Sequence, residues 1–342
     1  MIGYDLNIIE KGIRGIFGRE FVTRQRKARY PDFCTIVNSD KKSETYNAIS
    51  TLPQLSEMKD ERVLAGFSEY TSTITNLVYA TGIRVPRQIF DFDQTGQLRT
   101  LVHSLSARVA NHPDKLTMAL IGANGTCYDT GNFFSATHDL GNGESQLNLL
   151  AGDLTDALVG AVTKDNRDIA IAAFQMNFKT AKAMLLEMTD DRGEPWHDSA
   201  EPEGLTILCH PRAEFFVRTA LEATIIADTG NAMLKQVNKI ITTPYSTPFT
   251  YHGDWYLLKT DTPIQPFIFQ RFGPKVDFPD AIPEADQEML QALNAIEIQT
   301  VMRSGKDIDA HTFFDDEYLF GARAIYAVGY GMWQNAIKVS GS

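Results

Sequence analysis

Cys127 and His138 share one polar stretch of the chain, and Cys209 and His210 are adjacent further on. A thiol beside an imidazole is the least that a nucleophile and its base require. An α/β enzyme built on them would need Cys127, His138 and an acid to converge in a pocket within residues 127–210. Nothing local to either pair supports this, and there is no G-x-S-x-G elbow. Metal chemistry is equally thin. The sequence has no C-x-x-C and no H-E-x-x-H, and His138–Asp139 and Cys209–His210 lack partners at ligand spacing. "GNGESQ" begins like a dinucleotide loop but ends in Gln146, and "SGKD" puts Asp307 where a P-loop needs Ser or Thr. "DFDQTG" opens like an EF-hand, yet its twelfth position is Val102 rather than a bidentate Glu, so its acids suit a helix cap better. Asp190–Asp191 and Asp315–Asp316 are consecutive and diverge in any regular element. The expectation is therefore no catalytic residue, no metal and no cofactor, with the histidines satisfied in loops or core.

Composition points the same way. The chain has 342 residues, 43% of them hydrophobic, which suits two domains or one with a large insertion. A net charge of −11 argues against binding nucleic acid over the whole surface. No apolar run is long enough to span a membrane, and the first residues lack a signal-peptide pattern. Three scattered cysteines fit a reducing compartment. Residues 1–30 carry seven bases against three acids, so a basic arm sits on an acidic body and suggests an acidic contact.

The elements that would position any site follow from periodicity. "PDFCTIVNSDKKSETYNAISTLPQLSEMKD" has little, and is expected to be extended and irregular. Val, Ile, Thr and Tyr-rich residues from Glu61 to Ile89, with a turn signal near Asn76, predict a long β-hairpin that rests on another molecule. Leu98, Leu101, Val102, Leu105 and Val109 form one helical stripe, capped by Asp93 or Thr95, and Pro113 is expected to open a second helix. Residues of about 146–250 predict a compact α/β unit. The C-terminal run from Asp315 to Ser340 alternates as one very long strand. Tyr318, Phe320, Ala322, Ala324, Tyr326, Val328, Tyr330 and Met332 share a parity; the other face is mostly small.

Four stretches resemble the Mu-like phage major head subunit family. "TLPQLSEMKDERV" is similar to its Leu-Pro…Asp-Arg-Val segment, through Pro53 and Arg62. "YDTGNFFSATHDLGNG" is similar to its Tyr-Asp-Gly-x-x-Phe-Phe-x-x-x-His-Pro loop, through Phe133, Phe134 and His138, with Asp139 in place of the proline. "IQPFIFQRF" is similar to a Lys-Pro-Phe-Ile-Phe-Gln strand, with Gln270 in place and Gln265 where the base stands. The C-terminus is similar through Gly321, Arg323, Gly329, Tyr330, Gly331, Trp333 and Gln334. The resemblance covers the chain from about residue 45 onward. It implies an α+β, Hong Kong 97-type (HK97-like) capsid fold. Its parts would be an N-terminal arm over 1–58, an extended E-loop hairpin over 59–90, and a P-domain over 91–145 with a long spine helix. An A-domain over 146–250 and a second P-domain part over 251–342 would follow.

It also implies a function: a major capsid protein, not an enzyme, assembled as hexamers and pentamers into an icosahedral tailed-phage head. The named residues would then be structural or interface residues. The implied partners are other copies, scaffold and portal proteins, an optional decoration protein, and packaged double-stranded DNA held non-specifically. The implied location is the virion, with assembly in the bacterial cytoplasm. The alternatives are the enzyme around Cys127 and His138, or an encapsulin-like compartment shell holding protein cargo.

Overall fold

The structure is a computed structural model. It describes residues 6–49, 69–88, 96–140, 142–160, 163–226, 229–273, 284–301 and 316–341. Pro53, Arg62, Asp93 and Thr95 lie outside these residues.

Two mixed sheets organise the chain. The first joins β1 (Cys34–Ser39), β13 (Phe267–Phe272), β15 (Glu317–Tyr330) and β14 (Ile296–Val301), with β4 (Leu77–Pro86) on the other side of β15. The second runs β11 (Lys239–Thr242), β8 (Leu205–Cys209), β12 (Trp255–Lys259), β16 (Ala336–Ser340) and β7 (Leu149–Ala151). Short pairs are formed by β5 (His138–Asp139) with β6 (Ser145–Gln146), and by β9 (Ile225–Ile226) with β10 (Thr229–Gly230).

The aromatic lane buries as its alternation requires. Tyr318, Phe320, Ala322, Ala324 and Tyr326 are all buried on one face of β15. Tyr318, Phe320 and Ala322 meet helix α2 (Gln97–Ala123) through Val102, Leu105, Val109 and Ala110, and the Tyr326 hydroxyl meets His112 Nδ1 of the same helix at 2.5 Å. Helix α1 (Leu6–Gln25) closes the same core with Ile13, Phe17 and Phe21, four residues apart along one face. Each buried phenylalanine of this kind contributes roughly 1.5–3 kcal/mol. The described part of the basic segment is thus a helix docked on its own subunit, with Ser106 Oγ donating to the Phe17 carbonyl at 2.9 Å. It is not an arm reaching away.

Four sequence expectations are corrected. Strands β3 (Glu69–Thr75) and β4 are not paired around Asn76. Instead β3 pairs with β2 (Ser43–Ile49), from Ser43↔Thr75 to Ile49↔Glu69, while β4 pairs with β15. The physical reason lies at Asn76, which makes no turn of its own. Its N–H donates to the Lys42 carbonyl at 2.8 Å and its side chain donates to the Lys41 carbonyl at 2.8 Å, so it locks the 39–42 turn that opens the hairpin. The irregular reading fails over residues 34–49, where β1 and β2 lie, and residues 50–60 of that stretch lie outside the described residues. Pro113 does not start a second helix. It sits inside α2, where Thr117 Oγ1 donates to its carbonyl at 3.0 Å, and the helix ends only at Asn124 in the left-handed region (φ 45°). The last strand is broken: β15 stops at Tyr330, Trp333–Asn335 form a 3-10 turn, and β16 enters the second sheet.

That second sheet also draws on residues outside 146–250. Its central strands include β12 and β16, beside β8 from within that range. Helices α3 (Asp156–Gly160), α4 (Lys164–Glu187) and α5 (Glu214–Glu222) accompany it, and Phe174 and Phe178 of α4 pack on Trp255 of β12. Helix α6 (Glu284–Asn294) brings Ala292 to the first core.

Candidate functional site: the junction around His138 and the hairpin base

The residues singled out in the sequence fall into three places. Phe133, Phe134, His138, Tyr330, Gly331 and Trp333 meet at one junction. There the end of α2, the following loop and the break after β15 come together. Gln270 and Gly329 lie at the base of the hairpin. Gly321 and Arg323 lie mid-strand, where Gly321 pairs with Gly82 and Arg323 makes an exposed ion pair with Glu297 at 3.2 Å.

At the junction every polar group has a partner of the right kind. Asn124, the helix cap, exchanges hydrogen bonds with the backbone of Phe134 at 2.9 and 2.7 Å. Tyr330 donates to the Leu120 carbonyl at 2.7 Å and accepts from Gly125 N–H at 2.5 Å, tying the end of β15 to the end of α2. Its ring stacks on the buried Phe133 with centroids 4.9 Å apart. Trp333 is buried and lies parallel to the His138 ring at 3.9 Å.

The orientation of Asn148 fixes the state of His138. The Asn148 amide donates to the carbonyls of Phe133 and Trp333, and its oxygen accepts from Ser135 N–H at 2.8 Å. That same oxygen faces His138 Nε2 at 3.1 Å, so Nε2 donates. The other nitrogen, Nδ1, faces the Asp129 carboxylate at 2.5 Å. Each ring nitrogen thus faces an oxygen, so the imidazole is held from both sides, with the parallel indole of Trp333 against its face. The pair is buried, with the His138 side chain at 0% exposure and Asp129 at 6%.

His138 is buried with both ring nitrogens engaged, and Cys127 points its sulfur at the Gly331 carbonyl, 3.8 Å away, so these contacts do not join the two as a nucleophile and its base. Burial, with the nearby Asp129 charge, pushes the Cys127 thiol up to about 12; burial does the same to Cys209. Neither is a thiolate near neutrality. Among the described residues no group of three or more His, Cys, Asp or Glu is placed to hold a metal, and no helix is long and apolar enough to cross a membrane.

Gly331 matters through its bareness. A Cβ there would lie 2.2 Å from the Gln265 carbonyl oxygen, a backbone atom that cannot retreat cheaply. The close approach lets the chain leave one sheet and enter the other.

The hairpin base forms the second cluster. Buried Gln270 accepts from Tyr46 Oη at 2.8 Å and donates to the Ile74 carbonyl at 3.4 Å. The Ile74 side chain fills the space that a side chain at Gly329 would occupy, 2.2 Å from the ideal Cβ position. Beyond this base, the described part of the β2–β3 ribbon pairs only with itself, and Thr45, Thr71 and Thr73 are exposed.

Asp129, Asn148, Ile74 and Tyr46 were not foreseen. The signal for the first two was weak: polar residues in a Gly-rich stretch look solvated. Only the alternation of apolar Ile74 with threonines marked the strand face.

The architecture of these two sheets and the long helix is similar to that of solved phage capsids. The bacteriophage PhiM1 mature capsid matches with a TM-score of 0.57 at 9% identity, covering 92% of this chain and 87% of that one. The cyanophage P-SCSP1u capsid matches with a TM-score of 0.51 at 12% identity, covering 92% and 88%. The fold is α+β and HK97-like. Sequence then narrows the class. A family model described as Mu-like prophage major head subunit gpT matches residues 6–158 and 249–342, and the chain belongs to that family. The Mu-like prophage FluMu major head subunit of Haemophilus influenzae is 28% identical over 157 residues, 44% of this chain and 50% of that protein. The major capsid protein of Escherichia phage Mu is 26% identical over 113 residues, 32% of this chain and 37% of that protein. The alignments thus span half or less of these relatives' lengths.

Proposed function

We propose that this chain is the major capsid protein of a Mu-like tailed phage. It repeats as hexamers and pentamers in the icosahedral head around double-stranded DNA. The family membership supports this most directly. One structural observation carries its mechanism: the β2–β3 ribbon has no core of its own and projects from a firmly seated base, and a two-stranded ribbon is marginal in water unless it lies on something. A neighbouring copy supplies that surface. In this reading the sheet of β15 with α2 is the P-domain and spine helix. The sheet of β8 and β12 is the A-domain, completed by β16, and the E-loop is the ribbon of residues 43–75.

The named residues have structural rather than chemical roles. Phe133, Phe134, His138, Tyr330, Gly331 and Trp333 hold the two sheets at a fixed angle, while Gln270 and Gly329 hold the ribbon's exit direction. Gly321 and Arg323 belong to the sheet itself. Scaffold, portal and decoration proteins are the further partners, with assembly in the host cytoplasm. Each copy is held by several weak contacts, so avidity makes the shell stable.

The test is to shorten the ribbon without touching β4, whose Val85 is fully buried. Thr45 and Thr73 are paired partners, so a two-residue Asn-Gly turn can replace residues 46–72. The expected product is a folded subunit that forms no shells in the presence of the scaffold. Shells from the shortened chain sink the mechanism. Particles that contain protein but never DNA favour a cargo compartment instead.

A further inference from the structure

We infer that the outer face of helix α4 is a contact surface for a second copy of this chain. This deepens the capsid reading and rests on it. Residues 159–248 fall between the two stretches matched by the family model, so what α4 does must be read from its own physics.

Helix α4 buries one face in the second core through Ala170, Ile171, Phe174, Phe178, Ala181 and Leu185. The opposite face faces solvent, and it is not built for water. Ile169 is 53% exposed, Met176 62% and Leu186 42%. Ala172, Thr180 and Ala183 are exposed between them, with Lys179 at the stripe's edge. Residues 169, 172, 176, 179, 180, 183 and 186 follow helical spacing, so they form one stripe. Seventeen steps of about 1.5 Å make it about 26 Å long. Exposed acids bound the stripe at its two ends, Asp165 in the helix's first turn and Glu187 in its last, and between Ile169 and Leu186 the exposed charge is Lys179. An apolar stripe with small residues between large ones is flat enough for another surface to approach closely.

The size of the stripe indicates its occupant. A helix is about 10 Å wide, so the stripe offers roughly 250–300 Å². A stand-alone complex needs about 800 Å² on each partner. The stripe is too small to hold a separate protein by itself. It is adequate where the partner is already held by other contacts, as a neighbouring copy is in a shell.

The test is Ile169→Glu with Met176→Glu in the full chain, expressed with the proteins that wild type needs to assemble. Both side chains are mostly solvent-exposed in the subunit, so the thermal midpoint should stay where it is. The expected result is a folded subunit with loss of rings and shells. If wild type assembles and the double variant gives the same particles in the same yield, this inference falls and the capsid reading stands. If wild type never assembles, the capsid reading falls and takes the inference with it. A second readout uses Met176→Cys, a new accessible thiol beside three buried ones. Maleimide should label it in dissociated subunits and fail to label it in assembled particles. Equal labelling in both, or protection that appears only when a decoration protein is added, overturns the proposal.

Discussion

The seat of the ribbon on Gly329 supports a quantitative prediction. An alanine at 329 places its Cβ 2.2 Å from Ile74 Cδ1 and 2.7 Å from Cγ1, but 3.8 Å from Ile74 Cβ. The first two separations are far inside van der Waals contact; the third is an ordinary one. Gly329→Ala alone should therefore behave as overpacking and cost about 1–3 kcal/mol. Ile74→Ala alone removes a side chain that is 6% exposed and should cost about 2–5 kcal/mol, as large-to-small core changes do. Combined, the two clashing atoms are gone and the new methyl partly fills the space. The double variant should cost no more than Ile74→Ala by itself, giving a coupling of about 1–3 kcal/mol in favour of the pair. The assay is urea unfolding of the unassembled subunit, with hydrogen exchange at the amides of Ser43–Ile49 and Glu69–Thr75 to localise the effect. Gly329→Ala should speed exchange in those strands first, because Ile74 is their anchor. Additive losses, or faster exchange elsewhere with the ribbon unaffected, would refute the seat.

Two further predictions concern ionisable groups. Asp129→Asn replaces the carboxylate that faces the buried His138 ring with an amide, and disturbing this buried hydrogen bond should cost about 1–3 kcal/mol in urea unfolding. An unchanged midpoint would mean that the contact contributes nothing to stability. Stability should also fall with acid. Burial holds His112, His197 and His210 below the usual histidine value of 6.5, so below that value the unfolded chain binds protons that the folded one does not. Their stabilisation is complete above about pH 6.5 and is lost as pH falls, by at most about 1.4 kcal/mol per histidine per pH unit. Thermal midpoints between pH 7.5 and 5.5 should drop, and His210→Asn should make the drop shallower. A midpoint that rises on acidification contradicts the sign.

What was legible in the sequence was local. Val102, Leu105 and Val109 of the predicted stripe are buried against Tyr318, Phe320 and Ala322 of the lane, and Leu98 is partly buried there, whereas Leu101 faces solvent at 37% exposure. Alternation reports which face is buried, but it does not say where a strand stops. Past Tyr326 the parity slips, since Tyr326 and Ala327 are both buried, and Trp333, Gln334 and Asn335 are buried in succession. A bend buried on all sides looks like a strand that is merely rich in apolar residues. The junction was foreseen only in part, through resemblance. Phe133, Phe134, His138 and Trp333 were named, whereas Asp129 and Asn148, which fix the imidazole, were not. A buried polar network draws its partners from places distant in sequence, and no local pattern marks them.

The misplaced hairpin follows from the same limit and bears on assembly. Residues 69–86 look like two strands about a turn, because Asn76 is a turn residue between two β-rich runs. In the structure they are nearly one line. β3 leaves the ribbon, passes Asn76, and continues as β4 along ten residues of β15. A ribbon attached through its own turn would pivot on that turn. This ribbon is instead continuous with a strand whose Ile83 and Val85 pack in the core beneath α2. Asn76, Gln270 and Ile74 clamp the crossing from three sides. A load on the far end of the ribbon is therefore passed into the main sheet rather than absorbed at a hinge. In the proposed capsid role, which requires neighbours to be held in register, that is the mechanical property that matters. It makes the crossing at Asn76, rather than the ribbon's tip, the place where one substitution should loosen a shell without preventing the subunit from folding.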